Sequence, residues 1–364
     1  MRILQINSGT EINGAIMHTY LLSRQLRELG HDVSVVCRPG FWLWNHLDGT
    51  GVERVASQMV RRPLEILRIA RHVRRQQIDV IHTHMSRAHM FGLLLRMATG
   101  VPCVATAHNR HFQLHWRWND FVIANSQATR EFQIRVNRVS PARIQTVYCY
   151  SDLSRFQAVN AETRRRTRRE LGINDQRPLI GIIGEVVKRK GHIYLIRALP
   201  EILRAYPDAQ IALVGRFKRR ERETQALRDF LAEQRLYRKI IWIGRRNNVQ
   251  DFLAAMDVCV VPSIEEPLGL VAIEAQAAGT PVVVSDTGGL TEIVTHEQNG
   301  LVVPVKDSSA IAANVVRLLR DPDFATQLVA NGRASVAERF APEKLVLQVV
   351  DVLESVRRRR RLAA

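Results

Sequence analysis

Short runs of β-branched residues alternate along the chain with longer segments in which apolar residues recur at helical spacing. In the first unit, ILQI precedes a segment whose small and apolar positions follow a helical period from Ala15 to Leu29, and Gly30 separates it from VSVV. A glycine directly after a helical segment is typical of a helix end. The pattern predicts a βαβ opening and, because it recurs, an α/β fold with parallel sheets.

The alternation forms two series separated by one charged segment. Further strands of the first series are predicted at DVIHTH, CVATAH, FVIA and IQTVY. The segment NAETRRRTRRELG follows and predicts a charged helix closed by Gly172. The second series has predicted strands at LIGIIG, AQIALVG, IIWIG, DVCVVP and PVVVS, with helices from about Gly191, near residue 225 and after Gly269. We expect two doubly wound domains, at residues 1–158 and 159–342.

Helical patterns continue to the end of the chain. They fill residues 307–320 and much of 323–360, with a break at Phe340, Ala341 and Pro342. We expect residues 343–364 to form a last helix with a basic tail.

Composition excludes several protein classes. The chain has 364 residues, of which 46% are hydrophobic and 24% charged, an ordinary balance for a globular protein and a length typical of two domains. Four widely separated cysteines predict buried thiols rather than a disulfide scaffold. The amino terminus lacks an apolar signal segment and the apolar runs are short, so we expect a cytoplasmic protein that does not span a membrane.

Charge is unevenly distributed. Residues 1–158 contain 20 Arg, no Lys and 10 carboxylates, a net charge of +10 out of +18, and Arg357–Arg361 form a basic run near the end. Such a surplus favours an anionic partner such as membrane lipid, nucleic acid or a phosphorylated substrate. Codon bias of the host is the alternative, since Arg outnumbers Lys 47 to 6.

The most informative stretch runs from residue 262 to 294, PSIEEPLGLVAIEAQAAGTPVVVSDTGGLTEIV. Its proline and glycine keep Glu266 in a loop after a strand, and a helix begins at Leu270 whose first amides can receive phosphate oxygens. Glu274 lies in the first turns of that helix. The residues predicted to bind the ligand here are Glu266, Leu268, Gly269, Leu270 and Glu274.

This stretch resembles the retaining family 4 glycosyltransferases of GT-B fold. Glu266, seven intervening residues and Glu274 are followed by AAGTPVVVSDTGG, and an HTH strand end, a TAH triplet, a KG pair and a GG-x-x-E element occur in the family's order. The resemblance implies two Rossmann-like domains facing a cleft, with the carboxyl half binding a nucleotide sugar and the amino half the acceptor. It also implies that the last helix crosses back to the first domain.

The segment LIGIIGEVVKRKGH resembles the family's donor-phosphate loop, in which an Arg after the strand glycine and a later Lys hold the diphosphate. Lys190 matches the Lys, but Glu185 stands at the Arg position. Either Lys188 or Arg189 substitutes for that arginine, or the alignment shifts locally. The segment GRFKRRER, at residues 215–222, also lacks the second glycine that is usual in the nucleotide-base loop.

His108 follows a predicted strand, where ligand-facing residues collect in open α/β sheets. The resemblance makes it an active-site residue that orients the sugar and the acceptor rather than attacking. Ten of the twelve histidines precede residue 116, so a metal site needs consideration. No recognised ligand set is complete, and the family binds its donor phosphates without a metal, so we expect no metal and no cofactor.

Asn13 and Gly14 lie in the first strand-to-helix turn, where a small residue lets a ligand approach the backbone. They match the family's acceptor-side turn, although Ala15 stands where a second glycine is common. The GxGxxG pattern is absent, which argues against an NAD enzyme.

We therefore predict a retaining glycosyltransferase that moves a sugar from a nucleotide-sugar donor to a glycan or lipid-linked acceptor, with His108, Lys190 and Glu266 as catalytic residues. The alternative is a non-catalytic GT-B scaffold or a basic protein that binds nucleic acid. Only 6% of residues are aromatic and no stacking motif is present, so no nucleic-acid partner is expected.

A second partner is predicted at the amino-terminal domain, an anionic membrane surface. Basic residues alternate with apolar residues in MVRRPLEILRIARHVRRQQ, and four large apolar residues follow His108. Cationic and aromatic side chains favour such an interface. The alternatives are an ordinary crossover helix and an acceptor pocket. The residues concerned are Arg61, Arg62, Arg68, Arg71, Arg74 and Arg75, then Leu64, Leu67, Ile69 and Val73, then Phe112, Leu114, Trp116 and Trp118.

Overall fold

The computed structural model describes residues 1–60, 62–218 and 221–363, without the side chains of residues 361 and 363. The chain divides into two compact units. Unit 1 comprises Met1–Ser151 together with Pro342–Ala364, and unit 2 comprises Asp152–Ala341. The predicted boundary after residue 158 lies too late, because the short helix Ser154–Gln157 packs against a helix of unit 2.

Unit 1 contains one parallel sheet with helices on its faces. Its strands are β1 (Arg2–Asn7), β2 (Asp32–Cys37), β3 (Glu53–Ala56), β4 (Val80–His84), β5 (Cys103–Ala107), β6 (Phe121–Ala124) and β7 (Ile144–Thr146). Its helices are α1 (Gly14–Glu28), α2 (Trp42–His46), α3 (Pro63–Arg75), α4 (Ser86–Thr99), α5 (Gln127–Arg135) and, from the end of the chain, α15 (Pro342–Ala363). The strand order is β3-β2-β1-β4-β5-β6-β7.

Unit 2 repeats this architecture with six parallel strands. They are β8 (Leu179–Ile183), β9 (Gln210–Val214), β10 (Ile240–Gly244), β11 (Val258–Val261), β12 (Val282–Ser285) and β13 (Leu301–Val303), in the order β10-β9-β8-β11-β12-β13. Its helices are α6 (Ser154–Gln157), α7 (Ala161–Glu170), α8 (His192–Ala205), α9 (Arg222–Glu233), α10 (Val249–Ala255), α11 (Leu270–Ala278), α12 (Leu290–Ile293), α13 (Ser308–Arg320) and α14 (Pro322–Arg339).

The burial pattern explains why these segments form strands. The strands of a doubly wound sheet are covered on both faces and read as continuous apolar runs, and LIGII of β8 and VCVV of β11 are buried at every position. The four cysteines are reduced and buried, as predicted from their spacing. The two parallel sheets confirm the predicted fold class.

The last helix belongs to the core of unit 1. Its apolar face packs against α1, β4 and β6, and its buried residues are Leu345, Val346, Val349, Val352, Leu353 and Val356. Among the residues that the structure describes, no helix is both long and apolar enough to cross a bilayer.

Candidate active site

The predicted donor residues gather at one point of the unit 2 sheet. The strand order reverses between the neighbours β8 and β11, and ligands of open α/β sheets bind beyond the carboxyl ends of the strands at such a reversal. β8 leads into the loop that carries Lys190, and β11 leads into the loop that carries Glu266. The two loops are joined, because the Ile264 backbone N–H donates to the Arg189 carbonyl at 2.7 Å.

Lys190 and Glu266 form a direct ion pair. The Lys190 Nζ lies 2.6 Å from Glu266 Oε2, and the Ser263 hydroxyl donates to the same oxygen at 3.0 Å. Burial alone would raise the pKa of Glu266, but the Lys190 ammonium and the further contacts hold that pKa below its ordinary value. Glu266 is therefore an ionised acceptor, and Lys190 is a cation held at the end of β8.

Two glycines shape the loops that carry this pair. Gly191 has φ +66°, and a Cβ there would lie 1.9 Å from the Pro262 carbonyl oxygen. Gly269 precedes α11 with φ +104°, and its Cβ would lie 2.4 Å from the Leu290 side chain. Only glycine tolerates both the left-handed conformation and the close approach.

Helix α11 begins at Leu270, as predicted, and Glu274 is its fifth residue. Leu268 is buried, whereas Leu270 and Glu274 are partly exposed. The first amides of a helix lack acceptors within the helix, so the start of α11 can receive an anion. Glu266 precedes this start in the loop, and Glu274 follows it in the second turn of the helix.

Glu185, which stands where the resembling family has an arginine, has a partner that the sequence did not indicate. Glu185 follows β8, and its Oε1 accepts a hydrogen bond from Arg216 Nε at 2.9 Å. Arg216 follows β9, the neighbour of β8 in the sheet. Ser263 was also missed, although its place between β11 and Glu266 is a signal that could have identified it.

His108 lies at the end of β5 in unit 1, beside the reversal of strand order between β1 and β4. Its Nε2 is 3.1 Å from Nδ1 of His84, the last residue of β4, and its Nδ1 is 3.5 Å from the Cys149 Sγ. His18 of α1 packs edge-on to His108 and to Tyr150, with ring centroids 5.6 and 5.0 Å apart. The sequence singled out His108 but not His18, Cys149 or Tyr150.

The histidines of this cluster are neutral. Burial lowers the pKa of His18 to about 4 and that of His82 to about 3, and it lowers the pKa of His84 and His108 well below the ordinary value. Neutral imidazoles donate from one nitrogen and accept at the other, so His84 and His108 can share one hydrogen bond. Within the described ranges, no group of three or more His, Cys, Asp or Glu is arranged to hold a metal ion.

The acceptor-side turn differs in detail from the prediction. The Asn13 side chain caps α1 by accepting from the backbone of Ala15 and Ile16 at 3.0 and 3.1 Å, and Gly14 is the first residue of the helix. The backbone passes closest to a neighbouring side chain earlier in the turn, at Gly9, where a Cβ would lie 2.4 Å from the Ile16 side chain. Asn13 and Gly14 are both exposed, so they remain available to a ligand.

Two family profiles match the chain. Glycosyltransferase Family 4 matches residues 12–155, and Glycosyl transferases group 1 matches residues 163–335. The chain is also 30% identical to the D-inositol 3-phosphate glycosyltransferase of Corynebacterium jeikeium, over 88% of this chain and 83% of that protein. The chain belongs to glycosyltransferase family 4. It is an enzyme of the retaining class that transfers a sugar from a nucleotide-sugar donor to an acceptor.

Two further similarities span most of this glycosyltransferase. An Escherichia coli UDP-Gal:alpha-D-GlcNAc-diphosphoundecaprenol alpha-1,3-galactosyltransferase is 23% identical over 80% of each chain. The solved structure of Anabaena Alr3699/HepE in complex with UDP-glucose superposes with a TM-score of 0.86 and 21% identity, over 98% of this chain and all of that one. The structural similarity shows that the fold is GT-B, and the alternative of a non-catalytic scaffold is not supported.

Proposed function

We propose that this glycosyltransferase takes a sugar from a nucleoside-diphosphate donor bound by unit 2 and adds it to a lipid-linked acceptor of cell-surface glycan synthesis, working on the inner face of the cytoplasmic membrane. The observation that carries the donor half is the Lys190–Glu266 pair at the strand-order reversal, beside the start of α11. A cation and helix amides suit phosphate, and a buried carboxylate suits hydroxyl groups.

Each residue of the donor site has a role that follows from its charge. Lys190 stabilises the negative charge that grows on the departing diphosphate, an electrostatic contribution of the kind that is largest in many enzymes. Glu266 accepts hydrogen bonds from the sugar hydroxyls, and Glu274 accepts them from the ribose. On the acceptor side we assign His108, Asn13 and Gly14, with His108 orienting its ligand as a neutral imidazole.

A screen of nucleotide sugars tests the donor assignment. UDP-, GDP- and ADP-sugars are added separately, and the thermal unfolding of the full chain is followed. A ligand at 100 times its dissociation constant stabilises the folded state by about 2.7 kcal/mol, which gives a clear shift. Release of the nucleoside diphosphate in the presence of an acceptor then confirms transfer. A chain that none of the three donors stabilises contradicts the assignment.

We further propose that the transfer needs no metal ion. The cation at the donor site is Lys190, and Glu266, the buried carboxylate beside it, is already paired with that lysine. Activity should therefore persist in EDTA. Loss of activity in EDTA that added Mg²⁺ or Mn²⁺ restores contradicts the proposal.

The acceptor half of the proposal rests on one surface of unit 1, which we call the α3 face. Helix α3 turns two leucines and four arginines outward, and Leu64 is 82% exposed. The outward residues are Leu64, Leu67, Arg68, Arg71, Arg74 and Arg75. Apolar and cationic side chains on one face suit the headgroup region of an anionic bilayer.

Parts of the sequence prediction for this surface are corrected. Ile69 and Val73 lie on the inward side of α3 and are each 1% exposed or less, and Trp116, also 1% exposed, belongs to another core cluster of unit 1. Phe112, Leu114 and Trp118 are exposed as expected, with Trp118 57% exposed. Arg61 lies outside the described residues.

The basic tail reaches the same part of unit 1. Arg357 Nε lies 3.0 Å from Asp79 Oδ1, four residues after α3 ends, and the Arg360 guanidinium lies beside Gly100. The Arg74 guanidinium donates to the Ala98 carbonyl at 2.5 Å, next to that glycine. The arginines of α3 and of the tail are far apart in sequence but form one basic edge.

Vesicle binding tests the acceptor half. The chain should sediment with anionic vesicles at 0.1 M salt and not at 1 M, because the screening length falls from about 10 Å to about 3 Å, and it should ignore neutral vesicles. A variant with Leu64, Leu67, Arg71 and Arg75 replaced by Ser should lose binding. Replacement of the exposed Arg235 and Arg238 in unit 2 is the control. Absence of sedimentation under every condition favours a soluble acceptor.

A further inference from the structure

The end of β8 combines an acidic residue with a basic neighbour from the next strand. Glu185 occupies the position at which the family has an arginine for the donor diphosphate, so this chain lacks a cation there. A diphosphate carries more than one negative charge, and Lys190 supplies a single ammonium at this strand end. A second cation is needed to hold the diphosphate strongly.

Arg216 comes close to this position from β9. The Val186 backbone N–H donates to the Arg216 carbonyl at 2.9 Å, and a Cβ on Gly215 would lie 2.0 Å from the Gly184 carbonyl oxygen. The ends of β8 and β9 therefore lie in close contact. Gly215 permits this approach because it has no Cβ, and it has a φ of +152°. The backbone of Arg216 is fixed against the loop in which an arginine was expected.

The side chains complete the arrangement. Arg216 donates from Nε to Glu185 Oε1 at 2.9 Å, and both side chains are about one-third exposed, at 34% and 38%. The Lys190 side chain passes over Gly184, with its Cε 3.7 Å from the Cβ position of that glycine. Lys190 and Arg216 thus both approach the Gly184–Glu185 segment. Lys190 pairs with Glu266 of the β11 loop, and Arg216 pairs with Glu185.

We infer that Arg216 is the second cation for the donor diphosphate and that Glu185 is the residue that positions it. In this chain the cation stands at the end of β9 rather than of β8, and Glu185 accepts hydrogen bonds from both Nε and Nη2 of the guanidinium. A guanidinium carries five N–H donors and keeps its positive charge in such a pair. This inference rests on the proposed donor site in unit 2.

Arg189 is one competing candidate. Its charge also helps to keep the pKa of Glu266 low, so it lies near the same site. Its side chain is exposed, and its carbonyl is committed to the Ile264 N–H. Lys188 is a second competing candidate, because it lines a cavity of about 310 Å³ together with Gly191 and Ile264 of the two donor-site loops.

Calorimetric titration of the full chain with uridine, UMP and UDP tests the inference, with the guanosine and adenosine series run in parallel. The variants are Arg216→Gln, Arg216→Lys, Glu185→Gln and Arg189→Gln. Arg216→Gln should weaken nucleoside diphosphate binding by about tenfold or more while nucleoside binding stays unchanged, because one charge-assisted contact to phosphate is lost. Arg216→Lys should retain part of the affinity, and Glu185→Gln should lose less than Arg216→Gln.

A charge exchange provides the sharpest control. The double variant Glu185→Arg, Arg216→Glu keeps the pair but returns the cation to the end of β8, so it should recover diphosphate affinity relative to Arg216→Gln. The inference is overturned if Arg216→Gln binds the diphosphate like the wild type, if it loses nucleoside and diphosphate equally, or if Arg189→Gln alone shows the loss. A wild-type chain that binds none of the three nucleoside diphosphates removes the proposed donor site itself, which is a different outcome.

Discussion

At the scale of single residues, Glu266 has the most buried charged group of the proposed donor site. Its carboxylate is buried, yet Lys190 and Ser263 keep it ionised and in place. A carboxylate in this setting can accept hydrogen bonds without first losing a proton, and its orientation is fixed before the ligand arrives. Glu274 offers a second carboxylate from a helical position.

Replacing either carboxylate by its amide should slow the enzyme. Glu266→Gln and Glu274→Gln keep the size of the side chain but weaken hydrogen bonds that are worth about 1.5 to 3 kcal/mol when charged. Turnover should fall at least about tenfold, measured as release of the nucleoside diphosphate. Glu201→Gln, at an exposed position of α8, is the control. Normal kinetics in both site variants, with the fold intact, would refute the assignment.

Removing the Lys190 cation should affect catalysis more than binding. A contact that strengthens as the sugar–phosphate bond breaks contributes mainly to turnover. Lys190→Ala should therefore lower kcat by a larger factor than it raises the Kd of the donor. Lys239→Ala is the control, because the Lys239 ammonium donates to the Pro207 carbonyl elsewhere in unit 2. A change in donor affinity alone would assign Lys190 to binding only.

Sequence identified single residues more reliably than their partners. Lys190, Glu266 and His108 are recognisable because each follows a strand with a distinctive neighbour. The pairing of Glu185 with Arg216 joins positions 31 residues apart, and that of His108 with Cys149 joins positions 41 apart, so no local pattern reveals them. Arg168 lies in the segment predicted to form a charged helix, and the sequence did not show that it is fully buried and donates to the Ala255 carbonyl at 2.8 Å.

At the scale of elements, two glycines with nearly the same backbone conformation differ in their surroundings. Gly191 and Gly172 have φ +66° and +68°, but a Cβ on Gly191 would meet the Pro262 carbonyl, whereas nothing lies within 4 Å of one on Gly172. Gly172→Ala should cost about 1 to 2 kcal/mol for the left-handed conformation. Gly191→Ala should cost more and should also lower turnover, because it displaces the loop that carries Glu266.

Urea unfolding, followed by circular dichroism, compares these two variants. The comparison isolates the contact with the Pro262 carbonyl, because the conformational cost is the same in both. Equal destabilisation by the two substitutions would show that the Lys190 loop and the Glu266 loop separate at little cost in free energy.

Long elements were predictable, whereas two of the short edge strands were not. The helix from Gly191 and the strand LIGII follow clear periods, and the structure places them at His192–Ala205 and Leu179–Ile183. β3 and β13 were not predicted; they have four and three residues and lie at sheet edges. Three or four positions are too few to show an alternation of apolar and polar residues. The return of α15 to unit 1 came from the family resemblance, since periodicity identifies a helix but not its neighbours.

At the scale of the whole molecule, the buried histidines of unit 1 should make that unit sensitive to acid. Their pKa values are lowered in the folded state, to about 4 for His18 and about 3 for His82, from about 6.5 when unfolded. The unfolded chain therefore binds more protons below pH 6.5. Stability is fully present above that pH and is lost as the pH falls towards 4.

Tryptophan fluorescence in a Trp242→Phe background measures this effect, because the remaining four tryptophans belong to unit 1. The urea midpoint should fall between pH 7 and pH 4.5. His18→Gln should reduce the slope of that fall, and His111→Gln, at an exposed position, should leave the slope unchanged. A midpoint that is constant over this range would show that the histidines titrate normally.

Unit 1 should also depend on the last helix. α15 buries six aliphatic side chains in the core of unit 1, and fully burying one such side chain is worth about 1.5 to 3 kcal/mol. Ending the chain at Ala341 should therefore unfold unit 1 or leave it marginally stable, while unit 2 keeps its fold. Hydrogen exchange that distinguishes the two units is the measurement. Native protection of unit 1 in the shortened chain would contradict the role of α15.

The return of α15 has a consequence for how the protein is made. Unit 2 is complete in sequence once Ala341 has been synthesised, whereas unit 1 waits for the final residues although its sheet emerges from the ribosome first. Domains generally fold as units during synthesis. Nascent unit 1 therefore exposes the apolar groove that α15 later fills for the whole time that unit 2 is being translated, and this groove is the natural place for a chaperone to bind.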